Sequence, residues 1–500
     1  MKTQKTDRST EGGEPPPHND DVGRKKRTRK MIVFVIVLFH ILGFISSIHA
    51  IMSTRTAQGA IAWAVSLNTF PYVTVPAYWV LGRSRFQGYT TARQAKLQEI
   101  DSVTDEAAKQ VLELRLPEDQ VTQAGRAAER LAGIPFLTGN SVELLVDGDA
   151  TFASILEGID AAREFILFQF YIVHDDEIGR EVQSHLIAKA KEGVRVSFLY
   201  DEVGSHDLPK RYKEELREAG IEVYDFHTQK GPHNRFQLNF RNHRKVVVVD
   251  GEKAWVGGHN VGDEYLGRDP KFGHWRDTHV RIEGPAALSA QLSFVEDWYW
   301  ATGRLPEVDW TPRPSEQGDL PILIVPSGPA DKLETANLMF VHAIHSAEER
   351  IWIASPYFVP DPPVVAALQL AGLRGVDVRI LIPDKPDHLG VYLAAFSFLD
   401  EAGETGVRFY RYLDGFLHEK AMLIDRSAAT IGTANFDNRS FRLNFEITAV
   451  IVDEEFASEV EQMFEADFAK ARLMEPGEAD DKPWWFRFAV RLARLTAPVQ

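Results

Sequence analysis

The chain has no cysteine among its 500 residues. Disulfides, thiol nucleophiles and cysteine-ligated metal are therefore excluded, and a reducing compartment is compatible with the chain. A basic balance is also missing: 56 Lys and Arg stand against 72 Asp and Glu, a formal net charge of −16. A general nucleic-acid binder needs the opposite sign to neutralise phosphates, so no nucleic-acid partner is expected. The same charge repels anionic lipid, so any hold on a membrane must come from particular segments. Apolar and charged fractions of 44% and 26% are ordinary, and extended disorder is not expected away from the ends.

Two segments near the N terminus could supply that hold. Residues 1–30 are polar and expected to be disordered, ending in a basic cluster of Arg24, Lys25, Lys26, Arg27, Arg29 and Lys30. The apolar run 31–52 that follows is long enough to span, which takes about 20 residues, whereas a cleaved secretory signal carries roughly 7–15. A second apolar run, 57–81, is interrupted by Asn68, Pro71 and Pro76, and reads as a kinked span or a re-entrant piece, the span being preferred. Only Arg55 lies between the runs, while Arg83, Arg85 and Arg93 follow the second. The positive-inside rule then gives a hairpin with both ends, and the body, on the cytoplasmic side. Were only the first run to span, the body would lie on the other side. Near the C terminus, Trp484, Phe488, Leu492 and Leu495 share one helical stripe with Arg487, Arg491 and Arg494 off it. That pattern suits an interfacial helix or one docked on the body.

Between these ends the chain is duplicated. Apolar strand runs 165–173, 193–201 and 220–226 are answered in order by 351–359, 375–384 and 406–412. Helical stretches 179–191 and 363–374 separate the first two runs of each half. Strand, helix, strand, helix, strand predicts an α/β fold with a mixed or largely parallel sheet covered by helices.

Each half closes on the same motif. The first carries His243, Lys245 and Asp250, then Gly257, Gly258 and Asn260; the second carries His418, Lys420 and Asp425, then Gly432, Thr433 and Asn435. Histidine and lysine two apart on a strand emerge on one face. One such motif is weak, but two copies with matching glycine and asparagine offsets are specific.

Two histidines, two lysines and two asparagines converging on one point suit a phosphodiester. One imidazole can attack phosphorus while the other protonates the leaving alkoxide and later deprotonates an incoming alcohol. Lys245, Lys420, Asn260 and Asn435 can hold the non-bridging oxygens. No carboxylate cluster of magnesium type is evident, so neither metal nor cofactor is expected. Asp250 and Asp425 complete the candidate catalytic set, although an aspartate ending a strand before a turn more commonly caps that turn. Glu446 is expected to orient His418 and Asp277 to orient His243, unless these carboxylates merely bind Arg442 and Arg276.

The paired motifs resemble the phospholipase D superfamily. Residues 242–245, 275–277, 355–360, 438–441 and 444–446 resemble the bacterial cardiolipin synthases within it. The resemblance implies a duplicated sandwich of two mixed sheets flanked by helices about a pseudo-twofold, preceded by a transmembrane helical hairpin. The implied organisation is a tail (1–30), the hairpin (31–82), a helical linker (83–140), two halves (141–310 and 320–475) and a C-terminal helix (476–500). It further implies a bacterial inner-membrane enzyme that joins two phosphatidylglycerols into cardiolipin and releases glycerol, with His243 as nucleophile and His418 as acid. A hydrolase making phosphatidic acid and a non-catalytic scaffold are the competing readings; the scaffold should have lost a motif residue. Two departures from the family pattern stand out: Gly258 where a hydroxyl residue is common, and Gln169 where an acidic one is. Both are expected to bear on acceptor preference. Oligomeric state is left open, since both motifs lie in one chain.

Overall fold

The computed structural model describes residues 19–54, 56–82, 86, 89, 109–227, 239–385, 387–475, 477–478 and 481–497. It forms two compact units, Met1–Ser84 and Arg85–Gln500.

In the first unit, α1 (Asn19–Ser53) is a helix of 35 residues. Within it Lys26–Ser53 is the one helix, among the described residues, long and apolar enough to cross a membrane. Disorder through residue 30 is therefore corrected over 19–30; residues 1–18 lie outside the described residues, as do Arg55, Arg83, Arg85 and Arg93. Lys and Arg propagate a helix at little cost once the apolar run has formed it.

The second apolar run is broken into α2 (Ala57–Thr69) and α3 (Pro71–Leu81), with Phe70 between them at φ −130° and ψ 56°. Pro71 brings no N–H and suits the first turn of a new helix. The contacts show that the second run does not continue in one direction but doubles back along α1. Leu67 in α2 packs so closely on Gly43 of α1 that a Cβ there would collide with the Leu67 carbonyl. Tyr72, early in α3, lies 5.5 Å from the Phe39 ring. Six residues later, the Tyr78 hydroxyl is 2.6 Å from His49 Nδ1 and 3.3 Å from Ser53 Oγ. Thus α2 descends along α1 from its C-terminal end, and α3 climbs back to that end.

The second unit is built on one sheet order made of two matching halves. The first half contributes β1 (Leu137–Val146), β2 (Phe165–Phe170), β3 (Arg195–Asp201), β4 (Glu222–Phe226), β5 (Arg241–Asn242), β6 (Val246–Val249), β7 (Lys253–Gly257), β8 (Trp275–Arg276) and β9 (Thr278–Glu283). The second contributes β10 (Leu320–Ser327), β11 (Arg350–Ala354), β12 (Phe358–Val359), β13 (Asp377–Pro383), β14 (Arg408–Tyr412), β15 (Phe416–Leu417), β16 (Ala421–Ile424), β17 (Ala428–Gly432), β18 (Phe436–Asp437), β19 (Asn444–Val452) and β20 (Ala471–Leu473). From the centre outward the halves run β1-β9-β7-β6-β2-β3-β4 and β10-β19-β17-β16-β11-β13-β14, joined by an antiparallel β1–β10 pair. Each half is mixed: β2, β3 and β4 are parallel, and β2, β6, β7 and β9 pair antiparallel. All six residues of β2 are buried, as expected of a strand covered on both faces. The linker expected to be helical holds the helix Gln123–Ala132, but β1 already begins at Leu137, inside it. Most of the linker before residue 109 lies outside the described residues.

Two short strands carry the chain across the pseudo-twofold. β5, just before His243, pairs in parallel with the start of β19; β15, just before His418, pairs in parallel with β8. Each half therefore feeds its histidine into the edge of the other.

Candidate active site

This crossing decides which carboxylate meets which imidazole. The His243 N–H donates to the Phe445 carbonyl at 2.9 Å, and the His418 N–H donates to the Arg276 carbonyl at 2.7 Å. The next residue along each acceptor strand is the carboxylate. His243 Nδ1 is 2.9 Å from Glu446 Oε2, and His418 Nδ1 is 2.7 Å from Asp277 Oδ2. The expected pairing is thus exchanged: Glu446 serves His243, and Asp277 serves His418. Both carboxylates are fully buried. With Nδ1–H held by a carboxylate, each imidazole presents Nε2 for chemistry.

The four basic side chains share one electrostatic environment. Burial pushes His243 down to about 4; Lys245 and Lys420 push the same way and Glu446 opposes them. His418 is likewise held well below the ordinary imidazole value by burial, then by Lys420, Lys245 and His243. Lys245 is lowered to about 7 and Lys420 to about 8, in each case first by burial, with Glu446 and Asp277 opposing. Lys245 Nζ donates to the His243 carbonyl at 2.7 Å, and Lys420 Nζ donates to that of His418. Each lysine is thereby fixed beside its own histidine. A phosphodiester anion entering this cluster would relieve the repulsion among its cations.

The two carboxylates are held differently. Glu446 accepts from Thr433 Oγ1 at 2.6 Å, Ser440 Oγ at 2.8 Å and Asn444 Nδ2 at 3.1 Å besides His243. Asp277 accepts from the Thr278 N–H at 2.8 Å, and Lys420 Nζ lies 3.9 Å away. Gly258 occupies the place of Thr433, and a Cβ there would collide with Asp277 Oδ1. The departure at Gly258 makes room for the carboxylate.

A family model described as the cardiolipin synthase, phospholipase D-like domain matches residues 155–291 and 340–468, one segment in each half. Cardiolipin synthase A of Pseudomonas fluorescens is 50% identical over 471 residues, covering 93% of this chain and 98% of the relative. The protein of the same name from Pseudomonas aeruginosa is 50% identical over 468 residues, 93% and 95% of the two chains. The chain belongs to the bacterial cardiolipin synthase family of the phospholipase D superfamily. A crystal structure of phosphatidylserine synthase from Haemophilus influenzae has the same fold, with a TM-score of 0.56 at 17% identity over 76% of this chain and 100% of that one.

Not every residue of the family's motif sits at the reacting centre. Asp250 and Asp425 end β6 and β16, at the opposite end of each strand from the histidine, with φ of 53° and 51°. Asp250 accepts from the N–H groups of Arg163, Glu164 and Phe165 at 2.8–2.9 Å. Asp425 accepts from those of Glu348, Glu349 and Arg350 at 2.8–3.1 Å. Their place in the candidate catalytic set is corrected: each ties the turn entering a central strand to the hairpin leaving the motif. Asn260 Oδ1 accepts from the Ile172 N–H at 3.1 Å, while the Asn435 N–H donates to Ser440 Oγ at 3.0 Å. The buried Asn435 Oδ1 has no hydrogen-bond partner, and a half-turn of the amide would present NH2 there instead.

Gln169 is buried in a polar network with Asn242 and Asp297. Its Nε2 donates to Asn242 Oδ1 at 2.9 Å and Asp297 Oδ2 at 2.8 Å. Asp297 takes two further bonds of 2.9 Å from Arg244 Nη1. An amide there donates to Asp297, where a carboxylate would add buried repulsion. Sequence reasoning assigned no role to the aromatic walls or to Ser440. Tyr171 meets the His243 ring at 4.9 Å and Trp275 meets the His418 ring at 5.0 Å. Their only signal was adjacency to motif segments. Among the described residues no group of three or more His, Asp or Glu is arranged to hold a metal ion.

Proposed function

We propose that the chain forms cardiolipin by moving a phosphatidyl group from one phosphatidylglycerol to a headgroup hydroxyl of a second, releasing glycerol. The observation that carries this reading is the pair of buried imidazoles, each fixed through Nδ1 by a carboxylate of the other half, beside two buried lysines. In the first step His243 Nε2 attacks phosphorus, the bond from phosphorus to the glycerol oxygen breaks, and His418 gives that oxygen a proton. In the second, a hydroxyl of the acceptor lipid gives its proton to His418, its oxygen bonds to phosphorus, and the N–P bond breaks. Lys245, Lys420, Asn260 and Asn435 balance charge on the non-bridging oxygens.

The unequal holding of the carboxylates favours this order. Glu446 spends its charge on three donors besides His243. Asp277 has fewer donors and keeps more of its charge for an imidazolium, while Lys420 Nζ, 2.8 Å from His418 Nδ1, opposes it until an anion binds. The entering phosphodiester anion offsets the burial and the lysines that hold His418 down, so His418 can then carry the proton while His243 is the nucleophile.

Membrane association of the family is supported here by α1 and by the C-terminal helix Trp484–Arg494. That helix docks on the helix Leu389–Gly403 through buried Val490, a Phe486–Phe396 ring contact of 5.3 Å and an Arg494–Glu401 bond of 2.8 Å. Its other face exposes Trp484, Trp485, Phe488, Leu492 and Leu495. Aromatics beside arginines suit the headgroup layer, and a helix can be docked on one side and interfacial on the other.

The test is purified protein in phosphatidylglycerol vesicles. Cardiolipin and glycerol should form in equal amounts, and His243→Ala or His418→Ala should abolish both. Phosphatidic acid as sole product would make the chain a hydrolase instead.

A further inference from the structure

The first unit determines where the chain leaves the bilayer. The stretch Lys26–Ser53 of α1 has 28 residues. At 1.5 Å per residue a helix of that length is about 42 Å long, more than the roughly 30 Å of hydrocarbon. α2 and α3 have 13 and 11 residues, so neither crosses alone. Nor do they cross in series, because α3 turns back. Trp63 of α2 and Tyr78 of α3 lie side by side with ring centroids 5.2 Å apart, and Trp79 Nε1 donates to Ser46 Oγ at 3.1 Å.

At the turn by Phe70 the polar side chains bond back to helix carbonyls, which lowers the cost of placing their hydroxyl and amide groups in lipid. Asn68 Nδ2 donates to the Ala64 carbonyl at 2.7 Å and Thr69 Oγ1 to that of Val65 at 2.8 Å. Thr74 Oγ1 donates to both Ser66 and Phe70, at 3.0 and 2.7 Å. Around them Phe70, Tyr72 and Val73 point outward, exposed and largely apolar. By its contacts with Phe39, His40 and Gly43, this tip lies about midway along the apolar part of α1.

We infer that the chain crosses the membrane once, and that everything from residue 85 onward lies on the face opposite the basic N-terminal cluster. Six Lys and Arg stand within the seven residues 24–30, against Arg55 after the first apolar run and Arg83, Arg85 and Arg93 spread along the sequence after the second. The positive-inside rule puts the denser cluster in the cytoplasm. A basic flank followed by an uncleaved apolar helix of spanning length is also the pattern of an anchor that carries the following chain outward. This replaces the cytoplasmic placement expected from two spans. If the proposed function holds, donor and acceptor lipids are drawn from the leaflet that faces away from the cytoplasm; the sidedness itself does not rest on that reading.

The absence of native cysteine makes the test direct. Ser9→Cys reports the N-terminal side, and Ser184→Cys, on the exposed face of the helix Glu177–Lys191, reports the body. Spheroplasts are treated with a membrane-impermeant maleimide before and after lysis. Ser184→Cys should be labelled fully in intact spheroplasts and Ser9→Cys only after lysis. Protection of Ser184→Cys until lysis, or labelling of both sites in intact spheroplasts, overturns the single crossing or its direction. Asp207→Cys, at a second exposed position of the body, gives the same readout should Ser184→Cys fail to accumulate. Failure of cardiolipin formation would leave the labelling pattern unaffected, which separates this inference from the proposed activity.

Discussion

The two halves share one strand order and one motif, yet they hold the carboxylates that meet their histidines in different ways. Glu446 lies in a cage of side-chain donors, whereas Asp277 presses into the space that Gly258 leaves and answers to a backbone N–H. A duplicated site starts with two equivalent imidazoles, and a two-step transfer needs them to do different work. The asymmetry in the holding groups supplies that difference without altering either histidine or either lysine.

Neutralising the carboxylates is the largest test of this comparison. Glu446→Gln and Asp277→Asn should each lower kcat by about 10²–10⁴, because each releases an imidazole from its tautomer. The account predicts the greater loss for Asp277→Asn, and predicts that a donor with a low-pKa leaving group rescues that variant's first step but not that of Glu446→Gln. Equal losses with no selective rescue would remove the distinction between the halves. Both are read by single-turnover kinetics.

The lysines give a smaller and graded effect. Lys245 near 7 and Lys420 near 8 shed their protons as pH rises, so the fully charged phosphate cradle exists only below those values. A bound phosphodiester raises both. The fall in kcat/KM should therefore begin above about pH 7, at up to about tenfold per pH unit and more steeply above about pH 8, and should appear in kcat only at higher pH. A profile in which kcat and kcat/KM fall together would place the titration elsewhere.

The smallest effect on turnover is predicted for the motif aspartates. Asp250→Ala leaves three N–H groups without their carboxylate, a loss of about 3–5 kcal/mol of stability at the ordinary cost of unmade hydrogen bonds. Asp425→Ala should cost less, because Asp425 is only partly buried and the amides of Glu348 and Glu349 are exposed to water. Denaturant unfolding measures both. For each variant the turnover per folded molecule should remain near that of the parent; loss of turnover at full stability would return the aspartates to the catalytic set.

Much of this site was legible because its chemistry borders regular elements. The histidines and lysines lie in the extended connections between β5 and β6 and between β15 and β16, not on a strand itself. His243 and Lys245, or His418 and Lys420, precede apolar strands whose turns end in Asp250-Gly251 and Asp425, and turn chemistry already pointed to a capping role for the aspartates. The partner exchange was not legible. It depends on β5, β8 and β15, each of two residues, too short to show any period in the sequence. Symmetry alone allows either pairing, and only the crossing strands choose. The re-entrant turn was hidden for a related reason: Pro71 interrupts a kinked span and begins a returning helix equally well. The contact of Tyr78 with His49, 29 residues away, decides between them. The partner of Gln169, Asp297, was not legible either, because the two are 128 residues apart in sequence.

The most direct measurement follows the phosphatidyl group itself. His418→Ala and His243→Ala are each mixed with a phosphorus-labelled phosphatidyl donor carrying an activated leaving group, quenched in base, and mapped by peptide. The account predicts label on His243 in the His418→Ala protein and none in the His243→Ala protein. Label on His418, or on neither histidine, would contradict it.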